Sequence, residues 1–239
     1  VYTLSSGKLH FIERDGSGPS SQEIMERLEK MGYQVSSISV EFVEYRYPGY
    51  GEELPKTGTY SGDWAGFDWK YEAASQTLTI EGKGDMPSYF GEPTQLAQYV
   101  FGTRNLVIGE GVTSVPYYLI TCLPELDSLK VGSTCKDFSY KQLEVQGTMT
   151  VDAGNQWFAV YDNCLYTKDL KKLLMLPEHK TSIQFPEQLE IISTESLSNL
   201  EMDTVVIPWG VTTLESRAFY YNSVATIVLP DTLTNMAED

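Results

Sequence analysis

The sequence predicts a β-rich (α/β), right-handed solenoid of short parallel strands, preceded by a small β-α-β element. Three observations predict it. Val205, Ile207, Pro208, Val211 and Leu214 recur as Ile227, Leu229, Pro230, Leu233 and Met236, an offset of 22 residues. The same offset counted back from Pro208 reaches Pro186, with Ile183, Phe185, Leu189 and Ile192 at the four apolar positions. Upstream, Leu106, Ile108, Val112 and Val115 surround Gly109, and 23 residues later Leu129, Val131, Cys135 and Phe138 surround Gly132. A weaker unit centres on Asp152, after Met149 and Val151. A period of about 20 to 50 residues marks an array whose units bury their apolar sides only by stacking on one another.

The spacing inside a unit specifies its parts. Two apolar residues separated by one, such as Val205 and Ile207, share one face of a strand. The Pro that follows cannot donate to a ladder and ends it. The three-residue spacing of Val211 and Leu214 suits a turn or a short helical stretch, with Ala218 and Phe219 filling the far side. The outward positions Val107, Lys130, Gln184, Val206 and Val228 form a flat surface of bland chemistry.

Residues 1–60 fit this rule poorly and read as a small N-terminal element and linker. Leu9 to Ile12 suit a strand. Ser20 with Glu23 is a capping box for a helix to about Met31, which Gly32 ends, and Val35–Tyr45 alternates as a second strand. The Gly-, Pro- and charge-rich stretch Tyr47–Ser61 is the linker. Within it, Leu54-Pro55-Lys56-Thr57-Gly58 resembles the sortase recognition pentapeptide. Anchoring requires that pentapeptide before a hydrophobic stretch and a basic tail, so here it carries no argument about location.

Residues 61–239 are read as the solenoid. Phe67–Tyr71 and Thr77–Glu81 form a hairpin cap (61–90) over the open end of the stack, where a bare apolar face and unpaired edge need cover. Thr94–Phe101 is a short helix turning Leu96, Tyr99 and Val100 toward the first unit. At the other end Met236 completes a unit's apolar set, and that unit is expected either to be covered by something outside the sequence or to have been cut.

Several segments, taken in order, resemble a known family. Val205-Val206-Ile207-Pro208-Trp209-Gly210-Val211-Thr212-Thr213-Leu214 with Ala218-Phe219, and Leu106 to Thr113, look like the BspA-type leucine-rich repeat of bacterial surface proteins. Phe158, Val160, Asp162, Leu165, Tyr166, Lys168 and Asp169 resemble a hairpin inserted between such repeats (about 155–176). Trp69-Lys70-Tyr71 with Leu78 to Met86 resembles the opening hairpin. Ser196-Leu197 in place of Ala-Phe, and a shortened unit between Gly132 and Asp152, depart from the pattern. The resemblance implies a leucine-rich-repeat fold and an extracellular or cell-surface bacterial protein whose array serves adhesion or recognition of a protein or glycan. The alternative is an ancillary binding or spacer module of a larger extracellular enzyme.

Composition bounds the function. With 17 basic and 33 acidic residues the formal charge is −16, which disfavours nucleic acid and anionic membranes. No apolar run is long enough for a membrane-spanning helix, so membrane insertion is not expected. Three cysteines, Cys122, Cys135 and Cys164, cannot all pair within the chain, and Cys135 and Cys164 read as small buried hydrophobes. Neither His10 nor His179 comes with the nucleophile and orienting carboxylate of a triad, and no phosphate loop or dinucleotide fingerprint appears. The chain is therefore read as non-enzymatic, without metal or cofactor. Aromatic residues are the one functional hint. Tyr117, Tyr118, Trp157, Phe158, Tyr161, Trp209, Tyr220 and Tyr221 fall mostly in turns and in the inserted hairpin, where rings can stack on sugars or anchor a protein. Trp157, Tyr161, Trp209, Tyr220 and Tyr221 are the candidate partner-binding residues.

Overall fold

The structure, a computed structural model, describes residues 2–5, 8–11, 26, 29–30, 54–88, 95–138 and 143–237. The chain divides into two compact units, residues 1–45 and 46–239. In the first, β1 (Tyr2–Ser5) pairs antiparallel with β2 (Lys8–Phe11), and Glu26, Glu29 and Lys30 are helical. The capping box at Ser20 and Glu23, the stop at Gly32, and the strand expected at Val35–Tyr45 lie outside the described residues.

The second unit is a β-solenoid built as two arrays, each opened by an antiparallel meander. In the first array, β3 (Thr59–Trp64), β4 (Phe67–Glu72) and β5 (Thr77–Gly82) pair antiparallel. The edge of β5 then starts a parallel ladder through β7 (Asn105–Ile108), β9 (Leu126–Val131) and β11 (Val145–Val151). A second parallel ladder joins β6 (Gly84–Asp85), β8 (Val112–Val115) and β10 (Asp137–Phe138). The second array repeats the plan. Strands β12 (Phe158–Tyr161), β13 (Cys164–Thr167) and β14 (Lys172–Met175) form the meander, and β14 starts a parallel ladder through β15 (Ile191–Ile192), β17 (Thr213–Leu214) and β19 (Asn235–Met236). Its companion ladder joins β16 (Thr204–Val206) to β18 (Thr226–Val228) in the 22-residue register, with Val205 opposite Ile227.

One residue type sets the strand lengths. Where the first array has Gly109, Gly132 or Asp152 after its strand, that residue's N–H donates to the layer beneath: Gly109 to the Ile80 carbonyl, Gly132 to Ile108 and Asp152 to Val131, each at 2.8 Å. The second array has Pro208 and Pro230 there, which have no N–H to give. Its β16–β18 ladder accordingly stops at three residues. Gly132 also permits the close approach, because a Cβ there would sit 2.7 Å from the Ile108 carbonyl oxygen.

The stretch spaced as Val211 and Leu214 is a turn that leads into a second short strand rather than a helix. Val211 donates to Pro208, and Thr213–Leu214 then joins the β15–β17–β19 ladder. The spacing of three serves both because the turn swallows the intervening residues. Ile183–Phe185 is not a strand, although Leu189 and Ile192 of the same unit are buried as expected. The tip of the inserted hairpin fills that layer instead. Asp162 and Asn163 both take positive φ at the two-residue turn between β12 and β13. The Asn163 amide then behaves like a piece of strand on the edge of β11, accepting from Met149 N–H (2.8 Å) and donating to the Gly147 carbonyl (2.7 Å). Asp162 accepts from Gln184 N–H at 2.7 Å. In the shortened unit before Asp152, β11 shifts register against β9 between Val145 and Thr148.

The opening cap is tied down from both sides. The helix Gln95–Val100 buries Leu96, Tyr99 and Val100, and the rings of Tyr60, Trp69 and Tyr71 lie 4.9 to 5.3 Å from Tyr99. The pentapeptide Leu54–Gly58 is a strap on this cap. Leu54 seats directly on Gly102, where a Cβ would collide with its Cδ1 at 1.6 Å, and the Gly58 carbonyl accepts the Ala73 N–H at 3.0 Å.

Candidate functional site

The inserted hairpin is anchored by Asn155, which is fully buried and fully partnered. Its Nδ2 donates to the Gly132 and Cys135 carbonyls, and its Oδ1 accepts from the Trp157 and Phe158 N–H groups, all at 2.8 Å. This fixes the start of β12 and aims its side chains. Phe158 turns inward against Phe138, with centroids 5.4 Å apart, so it is core rather than binding surface. Trp157 and Tyr161, at the two ends of β12, point outward, Tyr161 resting edge-on against buried Tyr166.

The other candidate rings sit at two different corners of the second array. Trp209 lies between Pro208 and Gly210 in the connection from β16 to β17 and is 80% exposed. Gly210 supplies the positive φ of that corner, and its N–H donates to Thr232 in the next layer. Tyr220 and Tyr221 lie in the connection from β17 to β18, with ring centroids 4.2 Å apart at 60°. Arg217 stacks over Tyr220 at 5.4 Å and faces Glu195 of the preceding layer at 3.9 Å. The hydrogen bond between Tyr220 and Tyr221 favours the protonated Tyr220 hydroxyl and raises its pKa above the ordinary value. The structure thus brings Tyr220 and Tyr221 together and leaves Trp209 on a separate corner. Tyr117 is exposed as the first residue of the helix Tyr117–Ile120; the side chain of Tyr118 lies outside the described residues.

Two residues read as bland belong with this surface. Val206 and Val228 are directly opposite one another on β16 and β18, and both are exposed. The matching outward position in the first array holds Lys130 beside Thr150. That contrast of outward rows was present in the sequence and is the signal that finds them.

Among the described residues, the histidine and the cysteines that the sequence singled out sit as follows. His179 pairs with Glu201 at 2.7 Å on an exposed loop. Cys135 and Cys164 are buried, which pushes their thiols up to about 11 and about 12. A cavity of about 450 Å³ lies between the strap and the turn Ala73–Gln76, but the polar tips of Tyr71 and Gln76 that line it both donate to the Gly102 carbonyl.

Residues 177–239 match the model of the BspA type leucine rich repeat region in six copies. No curated protein sequence matches the chain. Among solved structures, the chain is similar to a leucine-rich repeat protein from Eubacterium ventriosum, with 14% identity and a TM-score of 0.42 over 75% of this chain and 68% of that one. It is similar to a leucine rich cell surface protein from Faecalibacterium prausnitzii, with 13% identity and a TM-score of 0.43 over 76% and 78%. The pneumococcal vaccine antigen PcpA matches at 12% identity and a TM-score of 0.31 over 75% and 72%. The matched segment coincides with the layers in which strand, Pro and turn recur at 22 residues: the second unit is a β-solenoid whose residues 177–239 match the BspA-type leucine-rich repeat.

Proposed function

We propose that the chain is a non-catalytic recognition module of an extracellular or cell-surface bacterial protein, binding a protein or glycan through the outer surface of its second array. One observation carries this reading. Of the large hydrophobic side chains that stand exposed among the described residues, Val206, Trp209, Tyr220, Tyr221 and Val228 all lie at outward or corner positions between Val206 and Val228. Scattered single exposures are ordinary, whereas a concentration in one segment marks an interaction surface. The first array's outward row carries Thr79, Val107, Lys130 and Thr150 in its place. The BspA-type match supports the surface location, because that repeat is the one the sequence resembles in bacterial surface proteins.

The test is binding of the purified chain to a panel of glycans and extracellular-matrix proteins at two salt concentrations. The expected result is saturable binding that Trp209→Ala, or Val206→Ser with Val228→Ser, lowers by about tenfold or more. Binding unchanged in all these variants would remove the second array as the recognition surface.

A further inference from the structure

The corner that carries Tyr220 and Tyr221 places a residue type in a backbone conformation that disfavours it. In each of two consecutive units the same two corner positions take positive φ: Glu195 and Asn199 in one, Arg217 and Tyr221 in the next, each pair 22 residues apart. The second of these positions needs the left-handed backbone to turn the coil. In the earlier unit it holds Asn199, a residue whose short polar side chain suits that backbone. In the later unit it holds Tyr221, at φ 50°. A bulky aromatic there is disfavoured, and Tyr221 is 75% exposed, so core packing does not compensate it. Strain kept at an exposed residue points toward use of that residue.

The surroundings define the use. One face of Tyr220 is covered by the Arg217 guanidinium, while the Tyr221 ring touches Tyr220 and is otherwise exposed. Arg217 and Glu195 sit beside the rings as a facing cation and carboxylate, and so offer hydrogen-bond donors and acceptors with little net charge. An open ring edged by such a pair suits a pyranose, whose C–H face stacks on the ring while its hydroxyls meet the guanidinium and carboxylate. The chain's formal charge of −16 disfavours an acidic sugar. We infer that Tyr221, with Tyr220, Arg217 and Glu195, forms a subsite for a neutral hexopyranose of a glycan. This inference rests on the recognition reading above and narrows it to one corner and one ligand class.

The experiment measures cellotetraose, maltotetraose and chitotetraose binding by protein-detected NMR titration, alongside urea unfolding, for the wild-type chain and for Tyr221→Asn, Tyr220→Ala and Trp209→Ala. The expected result is saturable binding of at least one tetrasaccharide. Tyr221→Asn abolishes it, Tyr220→Ala weakens it about tenfold and Trp209→Ala leaves it unchanged, while Tyr221→Asn has a urea midpoint equal to or above wild type. Four outcomes overturn the inference: no saturable binding of any of the three sugars, binding retained in Tyr221→Asn, binding lost in Trp209→Ala alone, or a lowered midpoint in Tyr221→Asn. Protein binding that depends on Trp209 while all three sugars fail to bind removes this subsite and leaves the broader recognition reading standing.

Discussion

Val205 and Ile227 hold the same position in consecutive units and face each other in the β16–β18 ladder, yet Val205 is fully buried and Ile227 is 39% exposed. Leu214 and Met236, partners in the β17–β19 ladder, are 4% and 65% exposed. The backbone plan of the two layers is the same, so the repeat pattern decides the path of the chain, and the layer stacked above decides how much apolar surface leaves water. The first array makes the same point from its other end. There the β3–β4–β5 meander and the helix Gln95–Val100 cover the opening layer, and Leu78 and Ile80 are buried as deeply as Leu106 and Ile108 inside the stack.

The largest expected effect falls where the two arrays meet. Asn155→Ala removes four hydrogen bonds from a fully buried site and strands backbone groups on both sides, so a loss of about 4 kcal/mol is expected in chemical denaturation. A loss below about 1 kcal/mol would mean that the hairpin is held by its packing alone. Next comes the direct contrast of layers. Leu214→Ala should cost about 3 kcal/mol, whereas Met236→Ala should cost less than about 0.5 kcal/mol. Equal costs would break the argument that the neighbouring layer sets burial. Asn163→Gly keeps the left-handed turn but deletes the amide that bonds Gly147 and Met149; a cost of about 1 to 2 kcal/mol is expected, with faster amide hydrogen exchange at Met149 as the local sign.

The smallest effect appears only at high pH. One buried thiol lies in each array's core, Cys135 and Cys164, with folded values near 11 and 12 against an ordinary 9.0. Below pH 9 both states hold these protons and the stabilisation is complete. As pH climbs from 9 through the folded values, the unfolded chain releases protons first and stability falls. A urea midpoint that declines above pH 9, less steeply in Cys164→Ala than in wild type, is the expected pattern. At neutral pH, half-buried Cys122 should alkylate before either of the other two.

The repeat offset, the buried set in each unit, the cap hairpin and the short helix were legible in the sequence because each follows from local spacing. The unit at Ile183–Phe185 was not. Its pattern is as regular as the others, but a strand forms only when a neighbouring strand is available to pair with it. Here the preceding layer's edge on β11 is taken by Asn163, a residue 14 positions beyond Met149, and no periodicity reveals that competition. The aromatic residues were legible as turn residues but not as a grouping. Which rings meet depends on the corner each connection occupies, and this separates Trp209 from the Tyr220–Tyr221 pair. Phe158 shows the same limit, since its inward turn is set by the buried amide of Asn155.

Pro208 and Pro230, which end β16 and β18, also govern how the chain behaves in concentrated solution. The β16–β18 ladder presents Val206 and Val228 to water side by side, an apolar row of the kind that templates growth of aggregates when the strands are long. A templating edge needs about six residues of continuous strand to hold an incoming segment. Pro230 ends β18 after three residues, and β19 offers two. The array can therefore display an apolar outward row on strands too short to hold an incoming segment.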